Sequence, residues 1–398
     1  MISFELSEDQ RLIQASVADL AKTIGSRVRR FEADGDVDPA LRQTVAELGL
    51  ASAHLPEALG GQGLGLLTAT VINEELAVAD AATPFALNGL GAFPLALQEL
   101  ATPERAADVL GALDAADVGA VAWSERTVQR ERAGFTTTAT RSADGYRVTG
   151  TKCFVAQAPR ATQFVVFAAT GHDGWSDFGA FLVPADAPGV KRGVRHGSLG
   201  LQAAAFGEVS LDDVQLPASA RLGEGPDFVP AVLRFFAKYS LVIAARQVGL
   251  ARAAFELTRE YCDMRKAFGK PIGHFQAVAF TLADRHMDIE SARELVRRAA
   301  WSWDAGKDER DALLATASAV AHAHEAAMRC SDDAVQLHGG AGFMRDVVVE
   351  KLMRDARQLA LVGMTAPQMD QLAAAIATGQ DLDPARVLPT PETQAVFT

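Results

Sequence analysis

Three stretches in the second half of the chain, Leu241 to Cys262, Phe275 to Asp304 and Asp311 to Gln336, are rich in alanine and carry apolar residues at three- and four-residue spacing. Such residues form helices readily, and each stretch is long enough to cross a domain. From about residue 225 to 376 the chain is therefore expected to fold as a four-helix bundle of antiparallel neighbours, with surface left over for contacts between subunits. The first 117 residues are also helical in pattern: Leu12, Ile13, Val17, Leu20 and Ile24 lie on one face, and Pro39 opens a further helix. Between them, residues 118–224 change to short β-branched and aromatic runs, at Phe135 to Thr140, Tyr146 to Val148, Gln163 to Ala168 and Gly179 to Val183, with an Asp-Gly hairpin signal at Ser142 to Gly145. The expected class is α+β: an N-terminal helical domain, a middle antiparallel β-barrel-like domain and a C-terminal helical bundle. Residues 377–398, with three prolines and few apolar side chains, read as a tail that is mobile or draped on a partner.

At 398 residues the chain exceeds what one hydrophobic core serves, which agrees with several packed units. A net charge of -12 and the lack of basic runs interleaved with aromatics argue against nucleic acid as a partner. Met1 to Gln14 lacks the basic start and apolar centre of a signal peptide, and no uninterrupted apolar run reaches the roughly 18 to 20 residues of a membrane span. Cys153, Cys262 and Cys330 are odd in number and widely spaced, as expected of reduced thiols in a cytoplasmic protein. His322 and His324 fall on different faces of a helix, so no metal site is expected there. The glycines at 60, 61, 63 and 65 lack the dinucleotide-binding spacing and follow no strand, and they read as a loop.

Four segments go further. Arg265-Lys-Ala-Phe268-Gly269-Lys-Pro271-Ile272, followed by Phe275 and Gln276, places a guanidinium fork at a tight turn, a geometry suited to a diphosphate. Gln336-Leu-His338-Gly339-Gly340-Ala-Gly342-Phe343 puts three glycines just past a long helix, where a backbone without Cβ atoms can approach a ligand. Tyr146-Arg-Val148-Thr149-Gly150-Thr151-Lys152 runs into Phe154, and Gly207 to Pro217 reads as the last strand of the β unit. Together with the helix, β, helix order, these segments resemble the acyl-CoA dehydrogenase family over nearly the whole chain.

The resemblance implies FAD as cofactor, an acyl-CoA substrate, an electron-transferring flavoprotein as electron acceptor, and a homo- or hetero-oligomer, by family habit a tetramer. It implies that Arg265, Phe268, Gln276, Gln336, Gly339 and Gly340 serve the flavin of a neighbouring subunit. It places Ser124, Phe154, Ala156 and Thr365 around the chain's own flavin. It also implies a carboxylate that takes the α-proton of the thioester while hydride leaves the β-carbon.

Here the sequence departs from the family. Eight residues beyond the Asp of Arg354-Asp355-Ala356, where the carboxylate is expected, stands Gly363; at the alternative position, 26 residues before Arg265, stands Tyr239. A phenol with an ordinary pKa near 10 is a poor base at neutral pH, so Tyr239 is a candidate for holding substrate, for donating a proton, or simply for packing. Ser124-Glu125-Arg126 replaces Thr-Glu-Pro and is not followed by Gly-Ser-Asp, and Ala156 stands where relatives carry a hydroxyl. The chain reads as an acyl-CoA dehydrogenase. The alternatives left open are a catalytically silent subunit of an α2β2 enzyme of lipid or steroid catabolism and a repurposed flavoprotein of the same fold.

Overall fold

In the computed structural model, residues 5–87, 89–126, 135–171 and 177–389 are described. The helical periodicity of the first third resolves into α1 (Glu8–Gly25), α2 (Val28–Asp34), α3 (Pro39–Glu47), α4 (Gly65–Ala79), α5 (Ala92–Leu100) and α6 (Pro103–Gly111). Ser7 and Gln10 cap α1 reciprocally. Of the glycine run, Gly60, Gly61 and Gly63 lie in a loop before α4, as expected, while Gly65 opens the helix. Helix α4 is buried on nearly every side, and Asp304 caps it from the far end of the sequence, accepting from Leu66 N (2.7 Å) and Leu67 N (2.8 Å).

The middle unit holds β1 (Gly119–Ala122), β2 (Thr138–Ser142), β3 (Gly145–Val155), β4 (Gln163–Ala169), β5 (Phe178–Pro184), β6 (Val190–Arg195), β7 (Gly207–Pro217) and β8 (Arg221–Leu222). They hydrogen-bond in the order β6-β7-β3-β2-β4-β5-β8, with β1 beside β4. The hairpin expected at Ser142 to Gly145 joins β2 to β3. Most pairs are antiparallel, but β1 and β2 each run parallel to β4, so the sheet is mixed rather than purely antiparallel. Strand β4 reads as an unbroken apolar run because both its faces are covered: Phe164, Val166 and Ala168 enter the core of the β unit, while Val165 and Phe167 enter the helical core.

The long helices are α7 (Phe228–Met264), α8 (Gln276–Asp304) and α9 (Glu309–Leu337). Between α7 and α8 lies a small hairpin of β9 (Lys266–Ala267) and β10 (Lys270–Pro271). Helices α10 (Val349–Leu359) and α11 (Ala366–Ala377) pack against α9, and the short α12 (Pro384–Val387) follows. Among the described residues α7 alone is long and apolar enough to cross a membrane, and its apolar stretch is mostly buried inside the protein. All three cysteines are buried, and none forms a disulfide.

The tail departs from expectation. Val387 and Leu388 are buried, and the Trp123 indole N–H donates to Pro389 O (3.1 Å), so the chain stays packed as far as residue 389. A buried indole needs an acceptor, and Trp123 sits in a cluster with Phe135, Phe167, Phe178 and Phe236 that offers none of its own. Residues 390–398 lie outside the described residues.

Helix α10 joins the three units. Lys351 Nζ donates to Asp80 and to Asp355, both at 2.5 Å, and all three groups are buried. Asp355 also accepts from Leu201 N of the β unit (2.6 Å), and Asp80 binds Thr83 N (2.9 Å). Arg354 reaches Glu32 (2.6 Å) and Leu199 O (2.9 Å). Removing one member of such a network strands buried charge. Lys351→Met is expected to cost about 3–5 kcal/mol and to lower the thermal midpoint by several degrees in calorimetry; a midpoint within a degree of the parent would contradict this.

Candidate active site

Helix α7 stops at Met264, and Arg265 turns to an extended backbone (φ -73°, ψ 121°) while its N–H still bonds Tyr261 O at 2.8 Å. Ile272 N closes the hairpin on Arg265 O (2.8 Å). Its tip is Phe268 (φ 51°) and Gly269 (φ 84°), the pair of left-handed residues that a two-residue hairpin of matching twist requires. Phe268 adopts this conformation despite its side chain and is 97% exposed, with Phe275 edge-on at 6.2 Å. The Arg265 guanidinium is exposed and makes no hydrogen bond or ion pair with the described residues. Gln276, also exposed, begins α8.

The glycine segment lies beside this turn because the Tyr261 ring stacks on the His338 ring at 4.3 Å and 23°, fastening the end of α9 to the end of α7. Gln336 projects from the last turn of α9 and is exposed. The glycines differ in why they are needed. A Cβ on Gly342 would strike Val335 O at 2.2 Å, and Gly339 is left-handed (φ 57°), but Gly340 is constrained by neither. The space at Gly339 and Gly340 is open, and Met264, Phe280 and Phe343 are more than half exposed at the same end. An apolar surface with an unpaired cation is suited to burial against another subunit.

A second concentration of unusual backbone lies where β3 leaves the sheet. Phe154 (φ 50°), Gln157 (φ 60°), Leu201 (φ 48°) and Ala205 (φ 44°) all adopt left-handed conformations without being glycine. Each costs on the order of 1–2 kcal/mol, and such strain gathers at functional sites. Gln157 holds the corner together: its N–H donates to Ala204 O (2.8 Å) and its amide Nε2 to Ala203 O (2.9 Å). The half-exposed Phe154 ring lies 5.4 Å from the His196 ring. Ala156 is partly buried against the helical core. Ser124 O accepts from Cys153 N (2.9 Å), and beneath it the buried Lys152 and Glu125 pair at 2.7 Å. Burial opposes the Glu125 charge, yet Lys152 holds its carboxyl below the usual range. The stretch after Arg126, where Gly-Ser-Asp would fall, lies outside the described residues.

Residues 7–115, 120–214 and 229–377 match, in turn, the N-terminal, middle and C-terminal domains of acyl-CoA dehydrogenases. The chain belongs to the acyl-CoA dehydrogenase family. It is 32% identical to a probable acyl-CoA dehydrogenase of Bacillus subtilis, over 94% of this chain and 99% of that protein. It is likewise 32% identical to the cyclohexane-1-carbonyl-CoA dehydrogenase of Geobacter metallireducens, over 89% and 93%. The butyryl-CoA dehydrogenase of Megasphaera elsdenii superposes with a TM-score of 0.87 at 27% identity, over 95% of this chain and all of that one. Proteins of this family are flavoprotein oxidoreductases that bind FAD.

Against that family background the two candidate base positions meet in space. Gly363 follows α10 with φ 75°, and Ser240 Oγ of α7 accepts the next N–H, from Met364, at 2.8 Å. A Cβ at residue 363 would lie 2.8 Å from that same oxygen. Neighbouring Tyr239 is buried and stacked on Phe235 (6.0 Å, 4°); burial pushes its phenol up to about 12, against a smaller downward pull from Arg246. The phenol is therefore neutral at working pH: it can donate a hydrogen bond but cannot act as the base. Thr365 caps α11, its hydroxyl and N–H both directed at Gln368 Oε1 (3.2 and 2.9 Å), a structural duty that leaves the hydroxyl only its acceptor capacity for a cofactor. The corner residues His196, Leu201 and Ala205 have no signal in the sequence.

A carboxylate cannot simply be restored. Gly363→Glu is expected to lose about 1–2 kcal/mol from backbone handedness alone, and more from the Ser240 contact, visible as a lower thermal midpoint. An unchanged midpoint would show that the backbone at this position is not so constrained.

Proposed function

We propose that the chain binds FAD and an acyl-CoA thioester in the cytoplasm and acts as an acyl-CoA dehydrogenase subunit, giving the 2-enoyl thioester and passing electrons to an electron-transferring flavoprotein. The observation that carries this reading is the placing of the unpaired Arg265 fork beside the open Gly339 and Gly340 backbone. Among the described residues the Arg265 fork has no partner of its own, and the space at the two glycines is open.

The residues fit the cofactor at this end. Arg265 would take the diphosphate of FAD seated on a neighbouring subunit, with Gln276 and Gln336 as flanking polar groups and Phe268 as an apolar cover. On the chain's own side Phe154 would lie over the flavin ring, with Ser124 as the remaining hydroxyl. Ala156 fits less well, since it offers no hydrogen bond. When bound, FAD supplies the acceptor for the β-hydride. The chain's part is to align the thioester, exclude water with the buried Tyr239 side chain, and hold the substrate's α-carbon near an acceptor of its proton. That last task is the one Gly363 and the neutral Tyr239 do not perform.

Gly363 favours a second reading, in which this chain pairs with a homologous chain whose site carries the carboxylate, lending it the Arg265 turn. The test is anaerobic titration with a panel of acyl-CoA thioesters, on the chain alone and on the chain co-expressed with such a homologue. Bleaching of the flavin by the chain alone supports dehydrogenase activity of its own; bleaching only in the mixed assembly supports the silent-partner role. Flavin retained in neither preparation would defeat both. In whichever assembly holds flavin, Arg265→Ala is expected to lower the flavin-to-protein absorbance ratio, and an unchanged ratio would defeat the assignment of Arg265.

A further inference from the structure

Among the described residues three cationic side chains are buried: Lys152, Lys351 and Arg246. Lys152 faces Glu125, and Lys351 faces Asp80 and Asp355. Arg246, with no measurable exposure, faces no carboxylate among the described residues. Its Nε donates to Asn73 Oδ1 (2.7 Å), its Nη2 to Leu90 O (2.5 Å), and its guanidinium carbon lies 4.3 Å from the centre of the Phe85 ring. Nη1 has no partner. Burial lowers the group to about 10, which leaves it charged at neutral pH. A buried cation without a counter-ion costs several kcal/mol, and an unmet buried donor adds to this. Tying α4 to the Leu90 loop explains Nε and Nη2 but not the free Nη1 or the charge, since a neutral amide could make the same two bonds.

The position suggests what the charge is for. Arg246 lies two turns beyond Tyr239 on α7, on the same stripe of the helix and about 10 Å along its axis. Tyr239 adjoins Ser240 and the Gly363 position where the reacting carbons would lie. The Phe85 ring that covers Arg246 in turn meets Phe206, next to the strained Ala205, at 5.8 Å. A line of side chains thus connects the reactive end to a buried, unmatched guanidinium.

We propose that Arg246 closes the far end of the acyl subsite and selects acyl-CoA thioesters whose acyl chain ends in a carboxylate. Nη1 donates to that carboxylate and the charges neutralise each other out of water, while Asn73 and Leu90 O fix the direction of the fork. A chain ending in a methyl group leaves the guanidinium unmatched, which penalises its binding. This inference rests on the acyl-CoA reading above and names the class of thioester.

The test is a direct binding measurement on the flavin-loaded assembly, by calorimetry, with adipoyl-CoA and hexanoyl-CoA, which differ only at the end of the acyl chain. The parent is expected to bind adipoyl-CoA at least about tenfold more tightly. Arg246→Met should bring the two affinities within about twofold, and Arg246→Lys, which keeps the charge but not the fork, should retain part of the preference. Equal affinities in the parent, or tighter hexanoyl-CoA, would overturn the proposal while leaving the acyl-CoA reading intact. Binding of neither thioester would overturn that reading and the subsite with it. The parent comparison decides the matter even if the variants fail to fold.

Discussion

The ammonium of Lys351 holds the molecule's three parts in register. One aspartate on it belongs to the end of α4 and the other to α10, and the second aspartate also takes the N–H of Leu201 in the β unit. Burial weakens each of these charges taken singly; together they offset one another, and the network stands only if all three parts arrive in place. Its position also sets the geometry of the site. Leu201 belongs to the strained corner around Phe154 and Gln157, and α10 leads directly to Gly363. The same contact that joins the domains therefore fixes the distance between the β corner and the end of α10, between which the reacting groups would lie.

The two ends of this arrangement differ in a physical sense. At the outer end, Arg265 and the Gly339 to Gly340 backbone are presented by a closed hairpin and a ring stack, and Arg265 has no partner among the described residues. At the inner end, Gly363 has a left-handed backbone, and a Cβ there would lie 2.8 Å from Ser240 Oγ. The inner end also holds the one buried cation that lacks a carboxylate among the described residues.

Much of the fold could be read from sequence because the long helices follow from local periodicity, and α7, α8 and α9 lie close to the expected stretches. The Arg265 turn was legible for a similar reason: guanidinium, glycine and proline lie within a few residues, and their chemistry survives without knowledge of the rest. The corner at Leu201 to Ala205 was not legible. Its handedness is imposed by Asp355 and Gln157 from distant parts of the chain, and leucine and alanine give no hint of it. Arg246 looks in the sequence like any basic residue on a helix, and only burial reveals that it has no counter-charge. The tail as far as Pro389 departs from expectation because its prolines speak for mobility, whereas a tryptophan more than two hundred residues earlier supplies the donor that pins Pro389.

The decisive measurement is a density map of the assembly purified with its flavin, at a resolution that shows the diphosphate. The expected result is a diphosphate on one subunit within hydrogen-bond distance of Arg265 from another, with the Gly339 to Gly340 backbone alongside. A flavin bound wholly within one subunit, with the Arg265 hairpin turned toward solvent, would contradict it.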